Sequence, residues 1–174
     1  YYPLGIAPHP DGRYLYISNS VFDRQYNAST LMVFDTFNER FLEKATVELG
    51  LFSGELKLVK RTCPSQSSDS SSLSQQDENC SAVVGYITTR DYNELITLNF
   101  KAEEGNQNTH IQCDQGIENK GYTQRSPYPI KANRCGGTAV TFKTGDQDMG
   151  GAPYSISIDD AGLWVSHLDS NSIS

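Results

Sequence analysis

No CxxC, CxxCH or Cys/His cluster with zinc spacing occurs in the 174 residues, which excludes the common structural zinc sites and an attached c-type haem. There is no apolar run of transmembrane length, no basic-then-apolar signal segment and no Met at position 1, so neither a membrane span nor a leader is read from this stretch. The chain opens on "YYPLG", as if cut from something longer. Basic residues are scarce: Lys and Arg number 14 against 21 Asp and Glu, a formal charge of −7, which disfavours nucleic acid or an anionic membrane as partner. G-x-S-x-G, H-E-x-x-H and phosphate-binding glycine loops are missing, and with them the local signatures of several hydrolase and nucleotide classes. "GDQDMGG" at Gly145 is glycine-rich but lacks the acidic spacing of an EF-hand and reads as a linker. No cofactor or metal is expected.

What is present begins with four cysteines, Cys63, Cys80, Cys113 and Cys135. They allow three pairings, and four free thiols in a cytosolic protein are the alternative to any of them. The local pairing, Cys63–Cys80 and Cys113–Cys135, is preferred because each pair brackets a loop-like segment, and disulfides point to an exported protein. Closing loops of this length contributes about 3 kcal/mol each in the chain-entropy account. The sequons "NAS" at Asn27 and "NCS" at Asn79 matter only in a glycosylating pathway.

The strongest signal is a repeat. The first unit reads as four short strands: "LGIAP", a turn "HPDG", then "RYLYISN", a loop, "STLMVFDT", a turn "FNER", and "FLEKATVEL". Runs of five to nine residues with period two, punctuated by Gly, Pro, Asn and Asp, predict an antiparallel meander. Pro153–Gly162 lies over Pro3–Gly12 without a gap, and Leu163–Ser166 over Leu15–Ser18. A third copy, "AVVGYITTRDYNELITLNF", starts at Ala82. Ile17 and Ile87 are 70 residues apart, and Ile87 and Val165 are 78 apart, well beyond the roughly 40–45 residues of a plain propeller blade. The excess is two inserts, the serine-rich "RTCPSQSSDSSSLSQQDENCS" and "CDQGIENKGYTQRSPYPIKANRCGG", each closed by one candidate disulfide.

One meander cannot bury both faces, and repeated meanders do so by packing around an axis. "PLGIAPHPDGRYLYISN…STLMVFDT" and "GGAPYSISIDDAGLWVSHLDSNSIS" resemble the YVTN-type repeat of lactonase-like β-propellers. The likeness covers the first 50 residues, the last 25, and 82–100 in the middle. "DDAG" replaces "HPDG" in the last copy, and the middle copy has no PDG. The expected architecture is therefore all-β: a partial propeller of four-stranded antiparallel blades with two disulfide-bracketed insertions. Blade one spans 1–50, blade two 51–144 with inserts 61–81 and 113–137, and 145–174 holds a linker and the start of blade three.

On such a ring both inserts fall at first or third hairpin turns of the middle blade, on one face. Asn27, Asp91 and Asp169 fall at equivalent second turns on the other face, beside Gly150–Pro153, with Asp23 and Arg24 reaching further out. This arc is a candidate ligand or partner site, although Asp and Asn here are expected mainly to cap their own loops. His167, at a strand end near Asp169, is a candidate base or ligand. Tyr14, Tyr16, Tyr86 and Trp164 are expected to pack between blades, whereas Tyr122 and Tyr128 in the second insert offer a protein-contact surface. Two functions follow: an exported, non-catalytic scaffold (extracellular, periplasmic or at the cell surface) that binds a protein or the remaining blades of its own chain, or a lactonase-like or redox-associated enzyme with its site at the channel mouth, as the resemblance implies.

Overall fold

Sixteen strands and one 3-10 turn, with no α-helix, make up the described part of the computed structural model, which comprises residues 2–21, 28–61, 83–90, 93–101, 110–113, 133–139, 141–144, 147–150, 152–168 and 172–173. The protein is all-β, and the sheets are built of antiparallel pairs with a single parallel exception. The first sheet contains β1 (Tyr2–Pro8), β2 (Tyr14–Ser20), β3 (Ser29–Asp35), β4 (Arg40–Phe41) and β5 (Val47–Leu49). The second contains β6 (Lys57–Lys60), β7 (Val83–Thr89), β8 (Glu94–Phe100) and β9 (Ile111–Cys113). β10 (Asn133–Arg134) returns to the first sheet and β11 (Thr138–Ala139) to the second. β12 (Thr141–Thr144) and β13 (Gln147–Gly150) form a hairpin, and β14 (Pro153–Asp159), β15 (Gly162–His167) and β16 (Ser172–Ile173) a third sheet.

The turns follow from their side chains. In "HPDG" the Gly12 amide donates to His9 O (2.9 Å) and the Arg13 amide to Asp11 Oδ1 (2.8 Å). Gly12 supplies the left-handed φ of 78° that a residue with a Cβ resists. In the shorter "DDAG" turn Asp159 Oδ1 accepts from the Ala161 and Gly162 amides at 2.9 and 3.0 Å. At the β3–β4 turn Asp35 accepts the Phe37 and Asn38 amides and the Asn38 side chain. Burial acts to raise the Asp35 pKa, but these hydrogen bonds and Arg13 together hold it below the ordinary carboxylate value.

Three expected features are corrected. "FLEKATVEL" is not one strand: it breaks into β4, the 3-10 turn Glu43–Ala45, and β5. Leu42, Ala45, Val47 and Leu49 are all buried, a spacing that two-residue alternation alone does not satisfy, so the chain tightens through one turn to bury Leu42 and Ala45 together. The outer edge of β8 is broken likewise, with β9 along Leu98–Phe100 and β11 along Glu94–Leu95. The second insert therefore leaves from within an outer strand, after Cys113, and not from the turn that follows β8. "GDQDMGG" is not simply a linker either, since residues 147–150 are the second arm of the β12–β13 hairpin.

Alternation sets the packing. Tyr14, Tyr16, Leu31 and Val33 on one face of the first sheet meet Val83, Ile87, Ile96, Leu98 and Phe100 on the second in one core cluster, and each fully buried large side chain stabilises by about 1.5–3 kcal/mol. The other face of the second sheet, with Val84 and Thr88 fully buried, meets β14, where Thr88 Oγ1 donates to Tyr154 O at 3.3 Å. The second sheet thus lies between the first and the third.

Candidate functional site

Two groups of chemistry-bearing side chains emerge among the described residues; the arc expected from the sequence lies outside them. The first is at the seam between the first two sheets. β2 aims Tyr14 and Tyr16 across it, the turn after β1 contributes His9, and the residue before β9 contributes His110. Tyr16 Oη and His110 Nε2 are 3.0 Å apart. Tyr14 lies edge-on to His110, with ring centroids 4.5 Å apart, and His9 lies edge-on to both tyrosines at 6.2 and 6.0 Å. His9 Nδ1 approaches Asp11 Oδ1 to 2.7 Å.

The electrostatics follow from burial. His110 is pushed down to about 4, first by desolvation and then by His9 and Arg13, with Asp11 and Asp35 opposing. Tyr16 is pushed far above its ordinary value, mainly by desolvation and further by Asp11 and Tyr14. Burial acts to raise Asp11, yet the Arg13 amide, His9 and the Arg13 charge leave it below the ordinary carboxylate value. The cluster therefore holds a neutral imidazole against a neutral phenol, away from solvent. That arrangement ties the two sheets together.

The second group is at the end of β7. The Arg90 guanidinium carbon sits 5.4 Å from the Phe52 ring centroid and 5.4 Å from that of Tyr154. Phe52 precedes Ser53, which bridges Thr89, and Tyr154 is a largely exposed residue of β14. A cation between two rings contributes about 0.5–1 kcal/mol per exposed contact. Here the pairing joins the second and third sheets and presents an aromatic edge to solvent.

The residues singled out from sequence fare unequally. His167 ends β15 opposite Pro153 and is a buried strand-end residue, 4 % exposed. Cys113 and Cys135 form a disulfide. Asp23, Arg24, Asn27, Asp91, Asp169, Tyr122, Tyr128, Cys63 and Cys80 lie outside the described residues. Tyr14 and Tyr16 are buried between sheets and Tyr86 partly so, but Trp164 is 45 % exposed, its indole donating to Asp159 Oδ2 at 3.1 Å. Among the described residues no group of three His, Cys, Asp or Glu gathers to hold a metal, and no helix is long and apolar enough to cross a membrane.

The chain matches no family model, no curated protein and no solved structure. His9, His110 and Arg90 carry no site signature in the sequence. Their signal was weak: a turn histidine, a histidine beside an insert, and an arginine ending a strand, whose company depends on pairings across the sheets.

Proposed function

We propose that the chain is part of a YVTN-type β-propeller acting as an exported, non-catalytic scaffold for a protein partner. One observation carries the reading. Ile6 in β1, Leu56 immediately before β6 and Ile156 in β14 are equivalent positions, and their exposures are 64 %, 4 % and 3 %. The same order holds one strand outward, where Ile17 is half-buried while Ile87 and Val165 are buried. In the opposite direction Tyr16 is fully buried, whereas its counterpart Trp164 is exposed. Each unit thus has one apolar face suited to the unit before it and another suited to the unit after it, the pattern of sheets stacked around an axis. Further sheets of the same repeat would cover Ile6 and Trp164.

The buried, neutral condition of the Tyr16–His110 pair favours a scaffold over the lactonase-like alternative, and the Cys113–Cys135 disulfide favours an oxidising compartment. Tyr122 and Tyr128 in the insert are the proposed contact residues, with Asp23, Arg24, Asn27, Asp91 and Asp169 on the other rim. The test is site-specific photo-crosslinking from positions 122 and 128 in the native envelope, beside a lactone-hydrolysis assay. One discrete protein adduct and no turnover are expected. Turnover of a lactone with no adduct would overturn the scaffold reading.

A further inference from the structure

The seam between the first and second sheets changes character along its length. At its middle it is apolar, with Tyr16 opposite Val33 in one sheet and Ile87 opposite Ile96 in the other, all in one core cluster. Moving two residues along each strand on the same faces brings Ser18, then Ser20, in β2, and Thr89 opposite Glu94 in the β7–β8 hairpin. Ser53 connects the two edges. Its hydroxyl donates to Asn19 O, its amide donates to Ser29 Oγ, both at 3.4 Å, and it bridges Thr89. All of these residues are buried. Among the described residues, the hydroxyls of Ser18, Ser20 and Thr89 have no hydrogen-bond partner.

Three such hydroxyls facing one end of one seam are not expected of a native interior, where a buried donor without a partner carries its full desolvation cost. Buried polar groups of this kind are commonly satisfied by internal water, which makes about three hydrogen bonds and needs polar partners from more than one side. Here the partners come from both sheets. We propose that this end of the seam is a binding site for a small cluster of ordered water, hydrogen-bonded to Ser18, Ser20 and Thr89 and joining the two sheets where apolar packing stops. The hydroxyls themselves choose water over a cation. A cation takes only their lone pairs and leaves three buried O–H protons without acceptors, whereas water accepts from one hydroxyl and donates to the next. Glu94 supplies a carboxylate at the same end, so a cation is the competing occupant.

The test uses oxygen-17 magnetic relaxation dispersion and urea unfolding of the 174-residue chain. Long-lived internal water is expected, with a water-to-Thr89 methyl cross-relaxation peak in the unaltered protein. Ser20→Ala and Thr89→Val should each lower the dispersion amplitude and move the urea midpoint down. A midpoint that rises in Thr89→Val with unchanged dispersion would show a merely unsatisfied hydroxyl and overturn the proposal. So would the absence of the Thr89 cross-peak, which is read without any variant. A midpoint that climbs with added Ca²⁺ or Na⁺ in the parent chain and not in Glu94→Gln would identify a cation and equally overturn it.

Discussion

Tyr16 Oη lies 3.0 Å from His110 Nε2, a hydrogen bond between residues 94 positions apart that ties β2 to the segment entering β9. Removing one partner leaves the other buried and unsatisfied, at a cost of about 1–3 kcal/mol, whereas replacing both by apolar groups is close to neutral. Tyr16→Phe is therefore expected to destabilise in that range by urea unfolding, and Tyr16→Phe with His110→Leu to recover part of the loss. A double variant as damaged as the sum of the singles would show that the two side chains act independently.

The same contact sets an acid limit. The His110 pKa is about 4 in the folded protein, below its ordinary value near 6.5 when unfolded. Between those values the unfolded chain binds the proton more readily, so stability is complete above about pH 6.5 and declines as pH falls toward 4. Urea midpoints measured across that window should drop, and His110→Gln should flatten the drop while lowering stability at pH 7. The charges of His9, Asp11, Asp35 and Arg13 act on the ring, and the His110→Gln comparison isolates its share.

Reducing the Cys113–Cys135 bond, which spans a sequence separation of 22, should destabilise by about 3 kcal/mol in the loop-entropy account. Cys135 is buried in the core cluster and its amide donates to Glu48 O at 2.9 Å, while Asn133 and Arg134 pair with β5. Cys113→Ser with Cys135→Ser should therefore speed hydrogen exchange at the Arg134 and Cys135 amides more than in the centre of β2.

Two glycines should fail for different reasons. A Cβ on Gly54 would stand 2.7 Å from both Thr88 Oγ1 and the backbone oxygen of Tyr154. Because the backbone cannot swing aside, Gly54→Ala is expected to cost about 1–3 kcal/mol and to loosen the third sheet from the second. At Gly12 nothing lies within 4 Å, but φ is 78°, so Gly12→Ala should cost only about 1 kcal/mol and leave the sheets docked. Thermal unfolding with exchange at the β14 amides separates the two.

Much of the sheet structure could be read from the chain because it is written locally. Alternation in "RYLYISN" and "STLMVFDT" and the turn chemistry of "HPDG" and "DDAG" depend on neighbours within a few residues. What could not be read depends on distant partners. Leu42 and Ala45 turn the fourth strand inward because a second sheet is there to receive them. His110 and Tyr16 meet only through the pairing of β8 with β9 and the docking of two sheets. The residue type of Trp164 suits an interface, but its exposure reflects which face of the third sheet is covered.

The parallel pairing of β10 with β5 carries a consequence for the order of events during synthesis. A ribosome delivers β1 to β5 early, yet the edge strand that completes their sheet is held back until the chain has passed Arg134. The nascent first sheet must therefore wait with one strand edge open, a condition that invites pairing with a neighbouring chain. When β10 closes that edge it brings Cys135 to β5, while Cys113 stands in the second sheet beside β8. An oxidase acting on Cys113 and Cys135 before that moment would lock in whatever register the chain then had. One acting afterwards would fasten β10, at the edge of the first sheet, to β9 in the second.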